Sequence, residues 1–151
     1  MKNIIICSGY FIILHIGHVK MFQEAKNFRD ENNVVLAIIN NDQQQTLKKG
    51  SVAVPELERT EIIKSIRFVD RVVLSEDTDL TVCKTLKKIV EYYSFINGDY
   101  RFYFVNGGDR TSGNIPEEKI CKELGVETVY GVGGDEKANS TTDILRKVTS
   151  W

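Results

Sequence analysis

Short runs that are apolar throughout recur along the chain and predict the strands of a sheet. They are rich in β-branched and aromatic residues, as strands are. They lack the alternation of apolar and polar positions that marks a strand with one solvated face, so we expect strands covered on both faces. The five runs are Asn3–Cys7, Val34–Asn40, Arg71–Ser75, Phe102–Asn106 and Glu127–Val132.

Between these runs, apolar residues recur at helical spacing and predict the covering helices. Pro55 and Pro116, each followed by glutamates, are typical of helix starts, and Ser140 opens a capping-box pattern for a last short helix. Gly125 is a typical helix stop. The positions expected to face the core are Val19, Phe22 and Ala25, then Ile62, Ile63 and Ile66, then Cys83, Leu86, Val90 and Tyr93, then Ile120 and Leu124, and finally Leu145 and Val148.

The alternation of strands and helices predicts the fold class. We expect an α/β protein, with residues 1–151 forming a single Rossmann-like domain. Its sheet would be doubly wound, parallel and five-stranded, with helices on both faces. One connection, Asn41–Val54, shows neither pattern. A loop of that length in a compact α/β domain is usually a lid or a binding loop, and the alternative is a plain surface excursion.

Composition and charge remove several classes of function. Of the 151 residues, 42% are hydrophobic and 27% are charged, and the formal net charge is −1, so neither a nucleic-acid surface nor a membrane partner is indicated. No stretch approaches the ~18 apolar residues of a membrane span. The three cysteines, Cys7, Cys83 and Cys121, are far apart. They predict buried thiols of a reducing cytoplasm, not a disulfide framework or a zinc site.

The expected sheet collects the unusual residues at one edge. In doubly wound sheets, ligands bind at the carboxyl ends of the strands. The helices after His15 and Ser140 would each direct free N–H groups and a partial positive charge at that edge. Lys48 and Lys49 would reach it from the patternless connection. We therefore expect a polyphosphate held between two helix ends and a mobile cation.

His15 and His18, the two histidines of the chain, flank Gly17 in the sequence H-I-G-H. Three interpretations compete. A metal site would need at least a third ligand, and the spacing lacks the i, i+4 separation that stacks two imidazoles on one helix face. A packed turn is the second. Phosphate chemistry fits best, because imidazole N–H groups can donate to non-bridging oxygens and stabilise the charge of the transition state.

Several segments in this order resemble the cytidylyltransferase-like branch of the nucleotidylyltransferases, over nearly the whole chain. The sequence H-x-G-H after a Gly-x-Phe turn is a moderate signal by itself. It becomes strong together with the Glu-Arg helix start and the S-T-T cap. The segments are SGYFIILHIGHVKMFQEAK at Ser8–Lys26, LKKG at Leu47–Gly50, ELERTEIIKSIRFVDRVV at Glu56–Val73, NGGDR at Asn106–Arg110 and NSTTDIL at Asn139–Leu145.

The resemblance implies three nucleotide-binding regions. The first passes its main chain along the triphosphate, the second holds base and ribose, and the third caps a helix whose N-terminus takes the β- and γ-phosphates. Their residues are Gly9, Tyr10 and Phe11, then Gly107, Gly108 and Asp109, and finally Ser140 and Thr141.

The resemblance also implies which residues act on the phosphates. His15 and His18 are expected to contact the phosphates at the reacting centre, and Lys48 to bridge the acceptor phosphate and the α-phosphate. These three are the candidate catalytic residues. The candidate substrate-binding residues are Ile12, Lys49 and Arg59.

The implied reaction transfers a nucleoside monophosphate from a nucleoside triphosphate to a small phosphorylated acceptor and releases pyrophosphate. CMP transfer to an acceptor such as glycerol 3-phosphate is favoured, and adenylyl transfer from ATP to a sugar 1-phosphate of the heptose type is the alternative. The resemblance implies Mg²⁺ bound with the triphosphate, and a homodimer. An alternative of another class is a nucleotide-binding module without catalysis.

Two departures from the family pattern affect the specificity regions. Ile12 stands where the family usually has aspartate, which removes a polar group beside the acceptor pocket. The arginine that often precedes I-S-T-T is missing, and Asp135, Glu136 and Lys137 occupy that region. We therefore expect an intact triphosphate site beside altered specificity regions.

Overall fold

The structure, a computed structural model, describes residues 2–30, 33–96, 98–107, 115–132 and residue 147. Its strands are β1 (Lys2–Gly9), β2 (Asn33–Ile39), β3 (Arg71–Leu74), β4 (Tyr100–Gly107) and β5 (Glu127–Val132). Its helices are α1 (Ile16–Lys26), α2 (Asp42–Lys49), α3 (Glu56–Lys64), α4 (Cys83–Phe95) and α5 (Glu118–Leu124), with a short 3₁₀ turn at Phe28–Asp30.

The strands form one parallel sheet in the order β3-β2-β1-β4-β5. The chain builds outward from β1 to β3, crosses back through α4, and continues from β4 to β5 on the other side. The strand order therefore reverses between β1 and β4, which is where ligands bind in doubly wound sheets. The predicted parallel, five-stranded α/β architecture is confirmed. That the chain forms a single domain stays a prediction.

Both faces of the sheet are buried, which explains why the strands read as uninterrupted apolar runs. Along β1, Ile5 and Cys7 join the cluster beneath α1 and α3, whereas Ile4 and Ile6 join the cluster beneath α4 and α5. All four side chains are fully buried. Successive residues of a strand point to opposite faces, so a strand covered on both sides needs apolar residues at every position.

The prediction that Asn41–Val54 is a loop is wrong, because most of it forms α2. Asn41 is the N-cap and shares a capping box with Gln44, and Gly50 ends the helix in the left-handed conformation, at φ 88°. The helix lacks an apolar stripe because its buried positions are Gln44 and Gln45, both of which are fully buried. Hydrophobic periodicity therefore did not reveal it.

The other predicted helices within the described residues lie where the patterns placed them, although some positions predicted to face the core are not buried. On α3, Ile63 is fully buried, as predicted. Ile62, which was predicted to face the core, is 46% exposed instead. Gly125 ends α5 in the left-handed conformation, as predicted. The three cysteines are free thiols, with Cys7 and Cys121 buried and Cys83 half-buried. The predicted last helix, which would begin at Ser140, lies outside the described residues.

Across the described part of the chain, none of the helices has the length and apolar content needed to cross a bilayer.

Candidate active site

His15 and His18 form the start of α1, directly after the turn that follows β1. His15 is the N-cap in extended conformation, and its Nδ1 accepts from the N–H of Gly17 over 3.2 Å. His18 Nδ1 accepts from the N–H of His15 over 3.3 Å. Two of the N–H groups that a helix start leaves unpaired are thereby satisfied by imidazole rings instead of the usual hydroxyl or carboxylate.

These hydrogen bonds fix the tautomer of both rings. A nitrogen that accepts a hydrogen bond carries no proton, so in each neutral ring the proton lies on Nε2. The rings of His15 and His18 stack with centroids 3.8 Å apart and planes 26° apart. Burial, reinforced by the neighbouring His15, lowers the pKa of His18 to about 4, so His18 is neutral at pH 7. The pair presents two neighbouring Nε2–H donors.

The turn between β1 and α1 is packed tightly around Phe11. Phe11 has a positive φ of 51° and is only 5% exposed. Its ring lies edge-on to His18 at 5.1 Å and tilted against Phe22 at 5.5 Å. A Cβ added to Gly9 would lie 2.8 Å from the ring, so this packing needs glycine at that position. The aromatic cluster thus holds the histidine pair against the core.

Arg59, at the start of α3, lies behind this turn and is fully buried. Its Nη1 donates to the carbonyls of Tyr10 (2.8 Å) and Asn40 (2.6 Å). Nε donates to the carbonyl of Val54 over 2.8 Å, and Nη2 to the carboxylate of Asp42 over 2.9 Å. The guanidinium therefore faces protein groups, and the structure gives it a positioning role. Its predicted contact with substrate stays a prediction.

Helix α2 is anchored to its surroundings by buried amides. The side-chain amide of Gln44 donates to the carbonyls of Asp79 and Thr81, and its oxygen accepts from Asn40 and from the main chain of Asn41. This uses every donor of that side chain and two acceptor positions. The helix that carries Lys48 is therefore fixed in place, in contrast to the predicted mobile loop.

The side chains of Asn41 and Gln45 also anchor α2 to neighbouring segments. The amide of Asn41 donates to the carbonyls of Ser75 and Asp77, both over 2.9 Å. The Gln45 side chain donates to the carbonyl of Val54 over 3.0 Å, and its oxygen accepts from the N–H of Ala53 over 2.8 Å. These amides are not among the predicted site residues, although the Asn-x-x-Gln spacing and Gly50 signal a capped helix.

The last turn of α2 brings Lys48 to the turn after β1. Lys48 Nζ lies 4.6 Å from the centroid of the Tyr10 ring. Lys49 and Lys48 are both exposed, and Ile12 is half-buried. Gly107 ends β4, the strand that pairs with β1 at the switch point.

The structure thus brings a large part of the predicted site to one edge of the sheet. The predicted residues of the first turn, α1 and α2 lie there, and Arg59 lies beneath them. The predicted residues that fall outside the described part of the chain are Gly108, Asp109, Ser140 and Thr141.

The sequence profile described as "Cytidylyltransferase-like" matches residues 6–147. The chain belongs to the cytidylyltransferase-like family. The match spans the histidine pair, α2 and Arg59, so the arrangement described above lies within the family's own segment. The predicted membership in this family of nucleotidyltransferases is confirmed.

Curated relatives of this cytidylyltransferase-like chain include longer proteins. It is 33% identical over 152 residues to the "Bifunctional protein HldE" of Geobacter metallireducens, an alignment that covers 97% of this chain and 27% of that protein. The chain thus spans about a quarter of the length of the HldE proteins it matches. A shorter match, 31% identical over 86 residues, is to the "FAD synthase" of Pyrococcus abyssi and covers 56% of this chain and 55% of that protein.

The fold is also that of a solved structure. The lipopolysaccharide core biosynthesis protein from Thermoplasma volcanium aligns with a TM-score of 0.62 over 84% of this chain and 93% of that chain. At 17% sequence identity, this likeness supports the α/β fold alone.

Proposed function

We propose that this chain catalyses nucleotidylyl transfer from a nucleoside triphosphate to a small phosphorylated acceptor, with release of pyrophosphate. The observation that carries the proposal is the pair of stacked imidazoles at the N-terminus of α1, whose Nδ1 atoms both accept from main-chain N–H groups and leave the ring proton on Nε2. Neutral N–H donors beside a helix N-terminus and a lysine suit a phosphate group whose charge increases in the transition state.

The chemistry needs no general base. A phosphate oxygen of the acceptor is already ionised at neutral pH and attacks the α-phosphorus directly. As the new P–O bond forms, the bond from the α-phosphorus to the bridging oxygen breaks, and pyrophosphate leaves with that electron pair. His15 and His18 donate to non-bridging oxygens, and Lys48 neutralises charge between acceptor and α-phosphate. Catalysis then consists of positioning and electrostatic stabilisation.

Mg²⁺ is the cofactor we expected with the triphosphate. The described side chains at this edge are mainly hydrogen-bond donors, and the nearby carboxylate of Asp42 is bound to Arg59. In the described part of the chain, no group of three or more His, Cys, Asp or Glu side chains is arranged to hold a metal ion. Mg²⁺ that is bound with the phosphates needs only one or two protein ligands, so it remains part of the proposal, and no step here depends on it.

Two substrate pairs follow from the proposal. CTP with an acceptor such as glycerol 3-phosphate is the first, by resemblance of the motifs. The similarity to HldE proteins favours the second pair, ATP with a sugar 1-phosphate of the heptose type. Ile12 in place of the usual aspartate is consistent with an acceptor pocket that differs from that of the glycerol phosphate enzymes.

A matrix of substrates tests the proposal. CTP, ATP, GTP and UTP are each combined with glycerol 3-phosphate, heptose 1-phosphate and glucose 1-phosphate, and pyrophosphate is measured. We expect release above background for one triphosphate with one acceptor class. Triphosphate binding without pyrophosphate release in any combination would instead support a nucleotide-binding module.

A homodimer and a cytoplasmic location remain parts of the proposal. Sedimentation tests the homodimer, and cell fractionation tests the location.

A further inference from the structure

The contact between Lys48 and Tyr10 joins the last turn of α2 to the turn after β1. Lys48 Nζ lies over the ring face, 4.6 Å from its centroid. A cation within ~6 Å of the centroid is attracted by the negative face of an aromatic ring. The Lys48 residue is exposed, and the Tyr10 ring lies beneath its ammonium.

The two ends of this contact are both fixed. Arg59 holds the carbonyl of Tyr10 over 2.8 Å, and the next residue, Phe11, is buried in the core. On the other side, the buried amides of Gln44 and Gln45 anchor the helix that carries the lysine. The ring and the start of the lysine side chain are therefore held in a set relation before any ligand binds.

The part of Tyr10 that acts in this contact is its ring. The hydroxyl oxygen is shielded from solvent and has no hydrogen-bond partner within the described structure. A buried hydroxyl without a partner adds no stabilisation. The ring face, by contrast, has a defined occupant in the lysine ammonium.

We propose that Tyr10 is a positioning residue for nucleotidylyl transfer, whose ring docks the Lys48 ammonium at the site before the phosphates bind. The inference rests on the proposed function, and it adds a side-chain role to the main-chain role implied by resemblance. A free lysine samples many rotamers, and ordering it in the transition state costs conformational entropy. A docked lysine has lost part of that freedom beforehand, so the effect falls on the rate of transfer.

A double-mutant cycle measures this coupling. The variants are Tyr10→Leu, Lys48→Ala and their combination, with Tyr10→Phe as the conservative variant that keeps a ring. Tyr92→Leu is the remote control, because Tyr92 lies on α4 and is 60% exposed. We expect Tyr10→Leu to lower kcat ~5- to 10-fold with little change in the KM for the triphosphate. In the Lys48→Ala background, Tyr10→Leu should not lower kcat any further. Tyr10→Phe should keep most of the wild-type kcat.

A spectroscopic readout tests the contact without turnover. In protein with ¹³C-labelled lysine, the ring current of Tyr10 should shift the side-chain resonances of Lys48 upfield, and these signals are assigned by their loss in Lys48→Ala. The upfield shift should persist in Tyr10→Phe and disappear in Tyr10→Leu.

Each outcome decides a different part of the inference. Equal losses from Tyr10→Leu with and without Lys48, or a lysine resonance that is unshifted in the wild type, would overturn the positioning role. An active enzyme indifferent to Lys48→Ala would overturn it as well. If no substrate pair yields pyrophosphate, the proposed function is wrong, and so is a positioning role in transfer. In that case the Lys48 side-chain resonances still report whether the ammonium contacts the Tyr10 ring.

Discussion

Arg59 donates from Nη1 to the main-chain carbonyl of Tyr10 over 2.8 Å, although the two residues are 49 positions apart in the chain. The same guanidinium binds Asn40, Val54 and Asp42. One buried cation thus connects the turn after β1, the start of α2 and the start of α3. Since the turn and α2 together carry much of the candidate site, the relative position of these segments depends on this side chain.

Replacing Arg59 by methionine should destabilise the fold. Methionine fills much of the same space but leaves three carbonyls, that of Asn40 buried, and a carboxylate without their donor. Removing one partner of a buried ion pair costs about 3 kcal/mol or more. Urea denaturation should show a loss of that size in the free energy of unfolding. Arg101→Met, at an exposed position, is the matched control. A change below about 1 kcal/mol in Arg59→Met would contradict the positioning role.

The strands were predictable because a sheet covered on both faces demands apolar residues at nearly every position, as in β1 and β4. The same rule fails for α2, whose buried face is made by Gln44 and Gln45. Their hydrogen bonds run to segments that local periodicity does not see, such as Asp79 and Thr81.

Arg59 shows the same limit within the site. Its neighbours along the chain are the exposed Glu58 and the half-buried Thr60, both polar, so nothing local signals full burial. The carbonyls that hold it come from segments up to 49 residues away. The histidine pair was recognisable because both residues lie within one short motif, whereas the residues that position the site are scattered along the chain.

Gln44→Leu should destabilise the protein although it introduces an apolar side chain into a buried position. The buried amide of Asn40 would lose its acceptor, and the carbonyls of Asp79 and Thr81 their donor. Leaving a buried polar group unpaired costs about 1–3 kcal/mol. Gln43→Leu is the control at the neighbouring exposed position. Thermal and urea denaturation compare the two. Equal stability of both variants would show that the buried amide does not anchor α2.

His18 should make stability depend on pH in mildly acidic solution. Burial and the neighbouring His15 lower its pKa to about 4 in the folded protein, from the ordinary histidine value of 6.5 that applies in the unfolded chain. The unfolded chain therefore binds the proton first as pH falls below 6.5, and stability decreases until about pH 4. Between pH 7 and pH 4.5 the loss from this group is about 2 kcal/mol.

The comparison with His18→Asn isolates this effect, because other groups titrate in the same range. The asparagine oxygen can still accept from the main chain of His15. We expect the difference in unfolding free energy between pH 7 and pH 4.5 to be smaller in the variant by that amount. Identical pH dependence in both proteins would mean that His18 protonates as easily in the folded state as in the unfolded chain.

Lys48 and Lys49 should differ in their effect on transfer. Lys48 is the lysine directed at the turn after β1, where its ammonium meets the Tyr10 ring. We expect Lys48→Ala to lower kcat by ~10²-fold, as for loss of one transition-state donor, and Lys49→Ala to lower it less. Pyrophosphate release at saturating substrates measures both. A greater loss in Lys49→Ala would assign the bridging role to the neighbouring lysine.

His15→Ala and His18→Ala should each slow transfer by ~10²-fold or more, because each removes one Nε2–H donor from the developing charge on the phosphate. Triphosphate binding should weaken less than kcat, since the donors act most strongly in the transition state. Circular dichroism and denaturation must show that each variant remains folded, because both rings also cap α1. His15→Asn, whose side-chain oxygen can cap the helix but cannot supply the Nε2–H donor, separates the two roles. Turnover like that of the wild type in folded His15→Ala and His18→Ala would exclude the histidine pair from the chemistry.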